Sequence, residues 1–267
     1  MTDLCLLKLG GSLITDKLTP FTPRHVVLTR LAGEIARAVE TRPGLNLIIG
    51  HGSGSFGHTP AKHYGTRSGV RTTEQWRGFV EVWKEARALN QIVLDALLSA
   101  GLPVIALPPS ASVTAADGVV QSWALSPVQS ALANGLIPLI NGDVIFDQAR
   151  GGTILSTEDL FLHLARVLKP RRILLAGLED GVWEDYPTST RLIEVITPAN
   201  YSRVFPHLGQ SAGVDVTGGM VQKVSSMVNL VRELPGLEVM IFSGEQPGLL
   251  QRVLQGERAG TAIRQDD

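Results

Sequence analysis

Short apolar runs rich in Leu, Ile and Val recur along the chain at 4–9, 45–49, 103–107, 136–140, 173–176 and 238–242, each ending near Gly, Pro, Asn or Ser. Runs this short and continuous are expected to form strands buried on both faces. Between them lie longer segments with helical periodicity, at 24–40, 73–100, 156–168 and 217–234. Ser156-Thr157-Glu158-Asp159 resembles a helix-capping sequence ahead of Leu160-Phe161-Leu162, and Gly101 is placed to close the long helix before it. Strands alternating with helices predict one α/β domain over 1–267, with a mainly parallel sheet covered on both faces. Polar, glycine-bearing stretches at 62–72 and 185–191 are expected to be mobile loops, and no repeat or linker composition interrupts the chain.

Ligands of an open parallel sheet sit beyond the carboxyl ends of its strands. Three turns there are rich in glycine or turn formers. They are Lys8-Leu9-Gly10-Gly11-Ser12, then Gly52-Ser53-Gly54-Ser55-Phe56-Gly57-His58, and Leu178-Glu179-Asp180-Gly181. Thr217-Gly218-Gly219-Met220 adds a further glycine-led helix start, with Lys223 in the first two turns beyond it. Glycine lets backbone N–H groups approach a phosphate without a Cβ in the way, and a helix N-terminus adds partial positive charge. A helix end contributes only about 0.3–1 kcal/mol toward an anion. A polyphosphate therefore also needs cations, which Lys8, Lys17 and Lys223 supply.

Composition narrows the reading. With 24 basic and 25 acidic residues the net charge is −1, which gives no general attraction for nucleic acid or an anionic membrane, so phosphate binding must be local. The one cysteine, Cys5, lies in an apolar run; no internal disulfide can form, and a cytoplasmic setting is expected. No apolar run approaches the ~18 residues that span a bilayer. The stretch at 52–57 fits the dinucleotide pattern GxGxxG, but no second strand ending in Asp or Glu follows about 20 residues later. No Gly-Lys-Ser or Gly-Lys-Thr occurs, which argues against a P-loop.

Taken together and in order, the Lys8–Ser12 motif with Lys17, Asp180-Gly181-Val182-Trp183, and residues 217–220 with Lys223 resemble the nucleotide-site motifs of the amino acid kinase family. Within it, His51 to His58 is similar to the glycine turn of the isopentenyl phosphate kinases. The resemblance implies an open αβα sandwich, homodimeric and cytoplasmic, with an acceptor part at roughly 1–170 and a nucleotide part at roughly 171–267. It implies ATP-dependent conversion of isopentenyl phosphate to isopentenyl diphosphate in isoprenoid biosynthesis by an alternative mevalonate route.

On this resemblance ATP would meet Lys8, Gly10, Gly11, Ser12, Lys17, Gly54, Asp180, Gly181, Gly218, Gly219 and Lys223. The acceptor phosphate would meet Gly52, Ser53, Gly57 and His58. Lys8, Lys17, Lys223 and His58 would be the catalytic groups. Where family members often carry Ser-Gly-Asp after the apolar strand, this chain has Ser156-Thr157-Glu158-Asp159, so the acceptor contact at Thr157 departs from the pattern.

A phosphate monoester brings its own anionic nucleophile, so the site needs charge neutralisation and alignment, and its turns carry no obvious catalytic carboxylate. Trp76, Phe79, Val80 and Trp83 have spacings that share a helix face, which could line a slot for a hydrocarbon tail; Phe79, Trp83 and Ile154 are the pocket candidates. Mg²⁺ is expected with the nucleotide, without an identified ligand, Asp143 and Asp180 being equally readable as turn residues. Two alternatives stay open: a family member acting on a carboxylate or phosphonate, of the acetylglutamate or fosfomycin type, and a non-catalytic nucleotide sensor.

Overall fold

Residues 3–207 and 219–266 are described by the structure, a computed structural model. The chain opens with β1 (Asp3–Leu9), the one-turn helix α1 (Gly11–Ile14), α2 (His25–Thr41), β2 (Leu45–His51), α3 (Gly54–Tyr64) and α4 (Thr73–Ser99). It continues through β3 (Val104–Ala106), β4 (Val113–Ala116), β5 (Val119–Trp123), α5 (Ser126–Ala133), β6 (Ile137–Asn141), β7 (Asp143–Asp147), β8 (Gly151–Leu155) and α6 (Thr157–Leu168). Then come β9 (Arg172–Gly177), β10 (Val182–Trp183), β11 (Leu192–Ile193), β12 (Val195–Ile196) and α7 (Tyr201–Val204). The last elements are α8 (Gly219–Glu233), β13 (Glu238–Ser243), α9 (Leu249–Gln255) and β14 (Thr261–Ile263).

All six apolar runs form strands of one eight-stranded sheet, ordered β12-β14-β13-β9-β1-β2-β6-β3. Its pairings are parallel except β13 with β14. The first strand sits at the join, with β2 on one side and β9 on the other. Everything beyond β2 comes from the first part of the chain and everything beyond β9 from the last, so the turn after β1 lies where the two halves meet.

The alternation within β1 makes two cores. Leu4 and Leu6 pack with Leu160, Phe161 and Leu164 of α6 and Val224 and Met227 of α8. Cys5, Leu7 and Leu9 face α2, α4 and α9, through residues such as Leu31, Leu89 and Leu250. These side chains are almost wholly buried, each contributing about 1.5–3 kcal/mol of transfer free energy. The result is an αβα sandwich of the kind that the sequence resemblance implies, with the parity of β1 deciding which layer each residue faces.

Helix ends follow the sequence closely. At α6 the Ser156 hydroxyl accepts from the Asp159 N–H (3.1 Å) while Asp159 accepts from the Ser156 N–H (2.8 Å). The long helix α4 starts on a matching Thr72–Gln75 box and is closed by Gly101 at φ +82°, a left-handed position suited to glycine.

Three things were not anticipated. The segment 62–72 begins inside α3 and contains a 3₁₀ turn at Thr66–Ser68, rather than being loop throughout. The loop at 185–191 is knit together by Asp185, whose carboxylate accepts from the backbone of Thr190 and Arg191. A second sheet, β5-β4-β7-β8, stands beside the main one. Of its strands, β4 is short and β5 is largely exposed, so they carry little apolar signature, whereas β7 and β8 are mostly buried.

Candidate active site

The first two glycine turns are a single unit. A Cβ on Gly11 would lie 2.5 Å from the Gly54 nitrogen, and one on Gly52 would lie 2.9 Å from the Gly11 nitrogen. Only glycine lets the two backbones pass this close. Thr15 stitches them: its hydroxyl donates to the Gly11 carbonyl (2.8 Å) and accepts from the Ser55 N–H (3.0 Å). On the other side, the Gly10 N–H donates to Ala176 at the end of β9 (2.8 Å). The turns that sequence treats as independent anion sites therefore share one floor. Gly54, at φ +50°, opens α3; Ser53 precedes it, Gly57 packs under the Ser53 side chain, and His58 stands half-buried on the second turn.

Lys8 has the parity of Leu4 and Leu6, so it projects toward α6 and α8. There its ammonium pairs with Glu158, the two side chains being 12% and 16% exposed. Burial works to raise the Glu158 pKa, but the charges of Lys8 and Lys223 outweigh it and hold the carboxyl below its ordinary value. Lys223 reaches the same place from α8, sharing with Glu158, Ser156 and Gln222 a narrow cleft between the first turns of α6 and α8. Glu158 is thus a carboxylate between two lysines. The sequence reading, which found no carboxylate among the phosphate-binding groups, missed it because the partners are 150 residues apart in the chain.

Lys17 stands exposed in the loop after α1. That loop is shaped by Asp16, which accepts from the Leu18 N–H (2.8 Å), and is anchored to α3 by an edge-on contact of Phe21 with Phe56. Asp180 is exposed past β9 and accepts from Gln246 (3.2 Å), while Gly181 is buried against Thr261. Ser12 lies on α1 and Gly219 opens α8; Gly218 lies outside the described residues.

A turn the sequence reading passed over completes this edge. After β13, the Gly244 N–H donates to Gly177 (2.8 Å), and Glu245 pairs with Arg24, whose guanidinium also donates to the Leu13 carbonyl (3.1 Å). The rule of carboxyl strand ends, applied to the last apolar run, would have found it.

Two expectations need correction. Thr157 is 1% exposed; its hydroxyl donates to the His51 carbonyl (2.6 Å) and its methyl faces Gly50. The side chain is a strut between α6 and β2, not a group presented to an acceptor. Along α4, Phe79 is buried with Val70, Val82 and Val144, and Trp76 and Ile154 pack on them, but Val80 is 58% exposed and Trp83 lies at the surface beneath Arg87. The expected shared face therefore splits, with Phe79 and Ile154 inside and Trp83 at the edge.

Asp143 is not placed as a metal ligand either. It is buried, accepting from the N–H groups of Ser110 (3.2 Å) and Val144 (2.9 Å), and burial raises its pKa. Among the described residues no group of three or more His, Cys, Asp or Glu could hold a metal ion.

Known proteins resemble this chain over nearly its whole length. A profile of the amino acid kinase family matches residues 3–243. Isopentenyl phosphate kinase of Methanothermobacter thermautotrophicus is 35% identical over 272 aligned positions, covering 97% of this chain and 98% of that protein. The enzyme of the same name from Methanocaldococcus jannaschii is 33% identical, with 97% and 98% covered. The chain belongs to the amino acid kinase family, among its isopentenyl phosphate kinases. A solved isopentenyl phosphate kinase structure superposes with a TM-score of 0.83 at 32% identity, covering 97% of this chain and 99% of that one. More distant amino acid kinase folds also align, including a UMP kinase from Bacillus anthracis at 19% identity and TM-score 0.68, a likeness of fold alone. The chain itself carries Lys8, Lys17, Lys223 and a glycine turn ending in His58, with Glu158 beside Lys8 and under the charge of Lys223.

Proposed function

We propose that this protein transfers the γ-phosphoryl group of ATP to isopentenyl phosphate, giving isopentenyl diphosphate and ADP. The observation that carries the reading is the shared floor of the two glycine turns, beside the Lys8–Glu158–Lys223 cluster and with His58 on the adjoining helix. Two phosphates held against one floor are brought close enough for direct transfer. An oxygen of the acceptor phosphate attacks the γ-phosphorus while the bond to the β,γ-bridging oxygen breaks and ADP leaves with that electron pair. The nucleophile is already anionic and needs no general base. What the reaction needs is relief of phosphate–phosphate repulsion and alignment, roles assigned here to Lys8 and Lys17 for the transferring group, Lys223 for the leaving ADP and His58 for the acceptor.

Mg²⁺ would enter with ATP, its ligands mainly phosphate oxygens, and would supply charge neutralisation there. Glu158 is committed to Lys8, and Asp159 to the cap of α6 and to Arg67, while Asp180 is an exposed carboxylate on the nucleotide side. The hydrocarbon tail would lie along Phe79 and Ile154, with Trp83 at the rim. We further propose a cytoplasmic homodimer; the exposed Val80, Leu98 and Ile105 offer apolar surface for a second copy.

The test is ADP release from Mg-ATP with isopentenyl phosphate, dimethylallyl phosphate, N-acetylglutamate, fosfomycin or no acceptor. Turnover confined to the isoprenoid monophosphates is expected. Turnover with a carboxylate or phosphonate alone would overturn the acceptor, and ATP binding without any turnover would favour a sensor. His58→Ala should lower kcat by about 10²-fold, the scale of removing one aligned donor, while thermal unfolding stays unchanged; near-normal turnover would remove His58 from the mechanism.

A further inference from the structure

His51, the last residue of β2, is wholly buried and immediately precedes the turn that begins at Gly52. Its Nδ1 lies 3.1 Å from the Gly52 carbonyl oxygen, and its Nε2 lies 2.9 Å from the position of Asn90 Oδ1 on α4. A carbonyl can only accept, so Nδ1 carries the proton and donates. Burial, with the charge of Lys8 adding to it, depresses the His51 pKa despite both hydrogen bonds, so the ring is neutral and Nε2 keeps its lone pair. An amide's oxygen and nitrogen are assigned by the partners they meet, and a neutral ring protonated at Nδ1 calls for the Asn90 amide to be turned from its placed orientation, so that its NH₂ rather than Oδ1 faces Nε2 and donates to it.

Both backbone polar groups of Gly52 are thereby held. Its N–H donates to Leu9 of β1 (3.1 Å), and its carbonyl accepts from the His51 ring. The Gly52 carbonyl is the last point fixed before the turn at residues 53–57. Asn90 in turn belongs to the inward face of α4 that also carries Phe79, Val82 and Ala86. One rigid helix thus bears both a wall of the tail slot and the anchor of the phosphate turn.

We propose that Asn90 and His51 are positioning residues for the acceptor, setting the Gly52 turn relative to α4 so that tail and phosphate are aligned together. The proposal rests on the reading that this turn holds the acceptor phosphate. Neither side chain touches a reacting atom, and each acts through the Gly52 peptide.

The experiment compares Asn90→Leu and Asn90→Asp with the full-length wild-type protein, by steady-state kinetics for both substrates and by ¹⁵N NMR of the His51 ring. Both variants should lower kcat/KM for isopentenyl phosphate by about 10- to 100-fold, as expected for small misalignment, while KM for ATP stays within about twofold. In the wild type His51 should be the neutral tautomer protonated at Nδ1. In Asn90→Asp, where the side chain can only accept, it should shift toward the cation. If Asn90→Leu fails to fold, Asn90→Asp, of nearly equal volume, carries the kinetic test. Unchanged acceptor kinetics in a folded variant would overturn the proposal. So would a parallel loss of ATP and acceptor parameters, which marks general loosening, or a wild-type ring protonated at Nε2. A wild-type protein inactive on isopentenyl phosphate would instead overturn the acceptor reading, while the tautomer measurement would still report on the hydrogen-bond relay itself.

Discussion

Two acidic side chains lie just past strand ends, one after a strand of the second sheet and one after a strand of the main sheet, and meet opposite electrostatic fates. Glu158, after β8, has Lys8 and Lys223 beside it, and their charges keep its carboxyl ionised below the ordinary carboxylate range despite burial. Asp143, after β6, has only uncharged donors, the N–H groups of Ser110 and Val144 and the Ser110 hydroxyl, and burial dominates, pushing its pKa up. Hydrogen bonds from neutral donors do not replace a countercharge when water is removed. At the first site the carboxylate is paired with Lys8 and lies under the charge of Lys223, where the proposed reaction would place phosphate. At the second it pins the short turn at residues 109–111 to the start of β7.

The most severe way to break this contrast is Glu158→Gln, which keeps the shape and removes the charge. Without its countercharge the Lys8 ammonium loses its fixed position, and kcat should fall by about 10²-fold, the cost of a misplaced catalytic group. Stability should change with a definite sign in pH. The folded pKa of Glu158 is lowered from the 4.5 of a free side chain, so its contribution is complete above 4.5 and is lost as pH falls through the lower folded value. Urea midpoints measured from pH 7 down to pH 3 should therefore show wild type and variant converging on the acid side. A constant gap at every pH would mean that the pair does not hold the carboxylate ionised.

Thr157 lies next to this site and sharpens the comparison, because it supports the site without charge. Thr157→Val removes the bond to the His51 carbonyl while keeping volume. That carbonyl still accepts from the Gly142 N–H (3.1 Å), so no acceptor is stranded. The loss should be about 1 kcal/mol, a drop of about 2–4 °C in Tm, with ADP release affected far less than in Glu158→Gln.

Thr157 also shows where sequence reading stops. The six strands, the ends of α4 and α6, and the glycine turns were legible because each depends on neighbours in the chain: apolar runs, capping boxes and the absence of a Cβ. The turn that joins Gly11 to Gly54, the pairing of Lys8 with Glu158 and the strut from Thr157 to His51 depend on residues 40 to 150 positions apart, as with Ser55 and Thr15 or Glu158 and Lys8. Their geometry follows only once β1 has settled between β2 and β9. The acidic residue at 158 looks like part of a helix cap in sequence, and it is the parity of Lys8 on β1 that makes it a partner. In the second sheet β5 escaped for a different reason: it is largely exposed, so its pattern carries little of the hydrophobic alternation from which strands are read.

The smallest effect is expected at the other acid. Asp143→Asn keeps one side-chain oxygen for an N–H group, surrenders the second and removes a buried charge that nothing nearby balances. These terms oppose one another, and stability at pH 7 should stay within about 1 kcal/mol of wild type. The pH dependence should run opposite to that at Glu158. Because the folded pKa of Asp143 is raised above the ordinary 3.8, the ionised form weakens the fold, and the wild type should gain on the variant as pH falls through the raised value toward 3.8. Activity and its Mg²⁺ dependence should be unaltered, since the carboxylate is enclosed and turned toward Ser110 and Val144. A raised Mg²⁺ requirement in Asp143→Asn would instead place this carboxylate among the metal's partners, and the contrast between the two acids would then be one of ligand against countercharge.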